Sequence, residues 1–258
     1  LQSGADNGVW ARMFGGKLGG DEFTNKYKTY QLGYDAQAGE WRVGAAYEYS
    51  DGSLNYTSGS GENKIGAISL YGTLQGKDNS ALDIVVKRGR IYGDMDIYGK
   101  YSDQGDYSTD ATSIGVEYSK RFDGGNNVYF EPQAQLTFGR IDGYDYVSAK
   151  GIRVAYDDIN SLIGRLGIVG GKAFSRGDVY VKASLLHEFS GDSSVTMLAA
   201  NGESYMEDQD YGDTWLEVGI GGNITLGKNC ELYGEVERSF GGDVTKNWGA
   251  NVGFRYSF

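Results

Sequence analysis

The stretch NWGANVGFRYSF at the end of the chain places the tightest constraint on the fold. Its even positions are Trp248, Ala250, Val252, Phe254, Tyr256 and Phe258, and its odd ones are Asn247, Gly249, Asn251, Gly253, Arg255 and Ser257. Strict alternation of this kind gives a β-strand one apolar and one polar face. The same period recurs at residues 10–14, 30–37, 41–50, 68–75, 82–87, 113–118, 128–138, 162–168, 179–185, 216–224 and 231–237, which with 246–258 predicts twelve strands. No stretch approaches the ~18 uninterrupted apolar residues of a transmembrane helix. A transmembrane strand needs only about 9–11 residues, every second one apolar.

The connections separate into two kinds. Tight turns occur at 36–40, 76–80, 123–127, 175–178 and 227–229, where Gly, Asn and Asp supply the dihedrals of short hairpins. Longer or more polar connections lie at 18–25, 50–62, 92–108, 142–158, 190–212 and 241–245. Short and long alternate along the chain, the asymmetry of a bacterial outer-membrane barrel with short periplasmic turns and longer external loops. Both termini are then expected in the periplasm. The β-like segment 144–158 is expected to extend the seventh and eighth strands outside the membrane.

The two faces support a barrel over a soluble sandwich. The polar face carries Gly, Gln, Glu and Arg and suits a wet lumen. Leu70, Ile84, Val116, Leu136, Ile220 and Val252 are expected against lipid, while Trp41, Trp248 and Phe258 occupy strand ends, as in an aromatic belt. An open sheet edge cannot sit in lipid, so the first strand must pair with the last. The expected fold is an all-β, twelve-stranded antiparallel transmembrane barrel, monomeric, spanning residues 9–258, with 1–8 a remnant of a linker. The chain does not begin with Met and shows no leader, which reads as a processed or excised piece.

Six stretches, GVWARMFGG (8–16), YQLGYDAQ (30–37), YFEPQAQLTFG (129–139), SLIGRLGI (161–168), TWLEVGIGGN (214–223) and VGFRYSF (252–258), resemble the C-terminal translocator β-domain of classical autotransporters, the type V secretion family. The resemblance covers nearly the whole chain. It implies export and surface anchoring of an N-terminal passenger, with a pore helix ahead of the first strand, both mostly absent from this chain. It also implies that the barrel-assembly machinery reads the alternate aromatics Phe254, Tyr256 and Phe258. A stand-alone outer-membrane channel or adhesin barrel with binding loops is the alternative.

Chemistry is sparse. One Cys and one His exclude internal disulfides, Cys-based metal clusters and His-rich zinc sites. No cofactor or metal is expected. A net charge of −11 leaves no basic footprint for nucleic acid. The basic cluster KRGR (87–90) is expected to meet anionic lipid or the lumen. His187 lacks a matching acid and base, Cys230 falls on the lipid-facing parity, and the Gly-rich 15–20 and 218–223 fit no phosphate-binding spacing. Some family members cleave the passenger inside the pore with lumen carboxylates and a helix asparagine. Glu48, Glu117, Glu131, Glu217 and Glu235 are the candidates for that here. The opposing reading pairs them with Arg12, Arg42, Arg165 and Arg255 in a structural lumen network, and the chain is then not an enzyme.

Overall fold

The computed structural model describes residues 7–20, 23–100, 102–199, 201–210 and 212–258. Among these, twelve long strands close into one antiparallel ring. They run Gly8–Gly19, Phe23–Ala38, Trp41–Tyr56, Gly59–Gln75, Ser80–Ile97, Asp103–Lys120, Val128–Ile141, Ile159–Phe174, Gly177–Glu188, Asp213–Leu226, Cys230–Phe240 and Thr245–Ser257. They are called the first to twelfth strands below. Each pairs with its sequence neighbour, and the first closes on the twelfth from Gly8↔Ser257 to Gly19↔Thr245, with a bulge between Lys17 and Leu18. Closure removes the unpaired edge that lipid would not tolerate. Most of the linker expectation for residues 1–8 falls outside the described residues.

A soluble sheet buries its apolar face; this ring does the reverse. Leu32, Ile68, Leu70 and Leu166 are each more than 60% exposed on the outer wall, while Thr29, Asp35, Glu48, Ser69, Thr73, Ser184 and Arg255 are buried inside it. Register carries that division around the ring: Leu70 lies opposite Val86, Val86 opposite Ile114, and Val116 opposite Leu136.

One end of the ring is closed by short turns, such as 39–40, 175–176 and 227–229; this is the turn end. The turn at 123–127 is built differently from a simple hairpin. A short strand, Phe122–Asp123, folds back on the seventh strand, and Asn126 and Asn127 take left-handed φ values of 60° and 59°. The opposite end is the loop end, and here three expected connections change character. Segments 50–62 and 92–108 are mostly strand: the third and fourth strands meet at a turn of 57–58, and the fifth and sixth are joined by 98–102. Beyond the lipid belt their outer residues turn polar while the backbone ladder continues. Segment 190–212 is also largely β. Tyr144–Val147, Arg153–Tyr156, Asp192–Leu198 and Ser204–Asp210 form a separate four-stranded sheet, the crown. The β-like segment 144–158 therefore pairs with the crown strand 192–198 and not simply along its own barrel strands.

Candidate functional site in the barrel lumen

Alternation delivers every second side chain to the lumen, and glycines on that face decide where large groups fit. The Trp10 ring packs against Gly33 and the Tyr71 ring against Gly44, positions where any Cβ would collide with them. These two aromatics begin a cluster near the turn end. Trp10 Nε1 donates to Tyr71 Oη at 2.6 Å, and Tyr71 Oη donates to Asp35 Oδ2 at 3.0 Å. Asp35, with no exposed surface, also accepts both Nη atoms of Arg255 at 2.6 and 2.7 Å and Nη1 of Arg42 at 2.8 Å. Gly8, between Asp35 and Ser257 in the sheet, leaves the room through which the Arg255 guanidinium passes. The cluster thus ties the twelfth strand to the second across the seam.

A second network lines the wall of the ninth to twelfth strands. Lys182 bridges Glu235 and Glu237, and Lys246 bridges Glu237 and Glu217 at 2.5 and 2.7 Å. Tyr180 Oη donates to Glu235 at 2.8 Å. On the adjoining wall of the sixth to eighth strands Arg165 pairs with Glu117 at 2.8 Å and donates to the side-chain oxygens of Gln135 and Gln133. Glu131 accepts from Gln133 Nε2 at 2.8 Å. These groups surround a cavity of about 840 Å³. Arg12 also lines it, with its guanidinium 5.0 Å from the Phe14 ring centroid and its Nε buried without a hydrogen-bond partner.

Four of the five candidate carboxylates, Glu117, Glu131, Glu217 and Glu235, therefore share this cavity with Arg12, Arg165 and Arg255. Glu48 stands apart, held by Lys87 at 2.7 Å and Gln31 at 2.6 Å. Arg42 serves Asp35. Sequence reasoning missed Asp35, Tyr71, Lys182, Glu237 and Lys246 as site residues. Parity alone puts Asp35 on the lumen face, in one row with Gln31 and Gly33. Phe254, Tyr256 and Phe258 all lie on the outer face and are 40–58% exposed, with Phe258 stacked on Tyr34 at 6.5 Å. His187 has its Nδ1 2.7 Å from the Thr214 hydroxyl. Among the described residues no His, Cys, Asp and Glu cluster has the makings of a metal site.

The sequence model of the family described as Autotransporter beta-domain matches residues 9–237. The pertactin autotransporter of Bordetella parapertussis is 29% identical over 268 residues, covering 97% of this chain and 28% of that protein. The chain thus spans under a third of that relative's length. Among solved structures, the β domain of the Bordetella autotransporter BrkA superposes with a TM-score of 0.81 at 26% identity, covering 98% of this chain and all of that one. The translocator domain of NalP from Neisseria meningitidis shares the fold, with a TM-score of 0.78 at 13% identity over 99% and 90% of the two chains. The family match and the likenesses to pertactin and to the BrkA β domain favour a translocator over a stand-alone channel or adhesin barrel. The chain belongs to the autotransporter β-domain family, the translocator barrels of the bacterial outer membrane.

Proposed function

We propose that this barrel exports an N-terminal passenger and anchors it at the cell surface, with both termini in the periplasm and the loop end outside. The observation that carries the reading is the lumen: a closed ring around a cavity lined mainly by charged and polar side chains, a surface suited to the passage of a polar chain. A reporter domain fused ahead of Leu1 tests it. In intact cells the reporter should be removed by external protease, and a protease-protected periplasmic reporter would overturn the reading.

The lumen carboxylates are read as wall and not as catalysts. Glu48, Glu117, Glu217 and Glu235 each touch a Lys or Arg, which supports ionised groups holding strands in place. The reporter fusion should therefore stay a single chain. Release of the reporter by wild type, abolished in Glu217→Gln or Glu235→Gln, would establish self-cleavage instead.

The terminal aromatics are the proposed contact for the barrel-assembly machinery, because Phe254, Tyr256 and Phe258 share one outward row on the strand that closes the ring. Deleting Phe258 should slow insertion in a pulse-chase of heat-modifiable mobility, yet barely alter a barrel already folded. Wild-type insertion kinetics in the deletion would remove the support for that partner.

A further inference from the structure

On the outer wall at the loop end, lysines replace the apolar row. The outward positions of the first strand run Val9, Ala11, Met13, Gly15, Lys17, and those of the second run Tyr34, Leu32, Tyr30, Lys28, Lys26. Lys17 lies directly opposite Lys26, and Lys28 is one outward step below on the same face. Like charges directly opposite one another destabilise a strand pair. None of the three lysines forms an ion pair among the described residues. Asp51 lies opposite both Lys28 and Lys64, but closes an ion pair with neither, and Lys64 turns to Glu62 at 3.7 Å. Farther round the wall the situation differs: Arg88 and Arg90 share Asp110 at 3.1 and 3.9 Å. The bulge at Lys17/Leu18 sits beside the lysines, and Trp248, opposite Lys17 and 53% exposed, flanks them.

Their height fixes what they meet. From Val9, level with Tyr34 and Tyr256, to Lys17 the strand climbs ~20 Å at ~3.3 Å per residue and ~40° tilt. The apolar band of such barrels is about 25 Å tall. The Lys17 and Lys26 ammonium groups, on long flexible stems, therefore reach the head-group layer at the loop end, and Lys28, one outward step (~5 Å) lower and opposite Gly15, extends its stem up towards it.

We propose that Lys17, Lys26 and Lys28 form a binding site for a lipid head group carrying two phosphates, in the leaflet at the loop end. Three adjacent cations that close no ion pair among the described residues complement a multivalent anion, the acyl chains lie along Met13, Tyr30 and Leu32, and Trp248 borders the site at the interface. The inference rests on the membrane-barrel reading but not on the direction of export.

Native mass spectrometry of the chain in detergent tests the site, with a bisphosphorylated glucosamine lipid, phosphatidylglycerol and inorganic pyrophosphate as probes. Folding of each variant is checked by heat-modifiable mobility. The bisphosphorylated lipid should bind most tightly, and each Lys→Gln change at 17, 26 or 28 should weaken it about fivefold. Lys77→Gln, at a turn on the opposite end, should bind as wild type. Unchanged affinity in the Lys17→Gln/Lys26→Gln variant would overturn the site. Pyrophosphate binding as tightly as the lipid would make it a free-anion site, and equal binding of phosphatidylglycerol would remove the two-phosphate specificity. Either result also overturns the proposal. All these readings are made in detergent, so their failure would leave the translocator reading untouched.

Discussion

The barrel wall and the crown are both antiparallel sheets, yet they are held together by opposite means. In the wall the lumen side is secured by buried charge: Asp35 grips Arg255 and Arg42, and lysines alternate with glutamates across the ninth to twelfth strands. In the crown, ion pairs such as Arg153–Asp145 lie in the open. The attachment to the wall there is aromatic. Tyr107 of the sixth strand stacks on Tyr144 at 4.3 Å, and Tyr144 on Tyr156 at 4.8 Å. The difference follows from the surroundings. The wall has lipid outside, so it must place its polar groups inward and pair them. The crown has water on its open side, so charge pairs gain little there and stacked rings do the joining.

The sharpest way to break this contrast is to remove one carboxylate from each region. Asp35→Ala strands two arginines in a buried site, and loss of one partner from a buried pair costs about 3–5 kcal/mol. Asp145→Ala in the crown should cost about 0–1 kcal/mol. Urea unfolding of the refolded barrel, followed by heat-modifiable mobility, measures both. Equal midpoints for the two variants would show that the Asp35 cluster does not hold the seam. Next in size is Leu136→Arg, which puts a charge at mid-height on the lipid face and should cost about 2–4 kcal/mol. Val147→Arg, on an exposed crown strand, should stay within about 0.5 kcal/mol of wild type.

The wall is largely legible in the sequence, whereas of the crown only the β character of 144–158 is, for a physical reason. Alternation reports one strand's two environments, so Leu136 outward and Glu117 inward can be read locally. Beyond the lipid belt both faces meet water, and Asp51, Ser53 and Asn55 keep strand geometry with no apolar partner to mark it. Segments 50–62 and 92–108 therefore read as connections in the sequence. In 190–212 the pairing partner is 153–156, and nothing in either segment alone names the other. The lumen cluster shows the same limit. Parity places Asp35 inside, but its choice of Arg255 depends on register across residues 220 apart in sequence, which emerges only when the ring closes.

A smaller perturbation isolates the join between the regions. Tyr107→Ala removes the ring that stacks on Tyr144 and lies 6.4 Å from Tyr146, at an expected cost of about 1–2 kcal/mol. Burial pushes the Tyr146 phenol up to about 12, so that ring carries no charge at neutral pH. Hydrogen exchange should quicken across 144–156 while the lumen strands keep their protection, because the crown then opens as a separate unit. Uniform loss of protection over barrel and crown would mean that the two are one cooperative structure.

The smallest effect expected is a pH response confined to the same join. Asp103, at the loop end of the sixth strand, accepts the backbone N–H of Lys150 at 3.0 Å, and Ala149 N–H donates to the Gln104 carbonyl at 2.8 Å. These bonds fasten the crown turn to the barrel. Burial works against the charge of Asp103, but hydrogen bonds from Ser148 and from the backbone N–H groups of Gln104 and Lys150 outweigh it and hold the carboxyl below its ordinary value. A carboxyl lowered by folding contributes its stability above the unfolded value, about 4, and loses it as pH falls through the folded one. Protection factors at Ala149 and Lys150 should therefore be flat from neutral pH to about 5 and fall below about 4. Asp103→Asn keeps the shape but lacks the charge, so it should begin with weaker protection and show no such fall. A wild-type profile that tracks the Asn variant at every pH would show that the Lys150 bond gains nothing from ionisation, leaving the Ala149–Gln104 backbone bond and the tyrosine stack as the join between crown and wall.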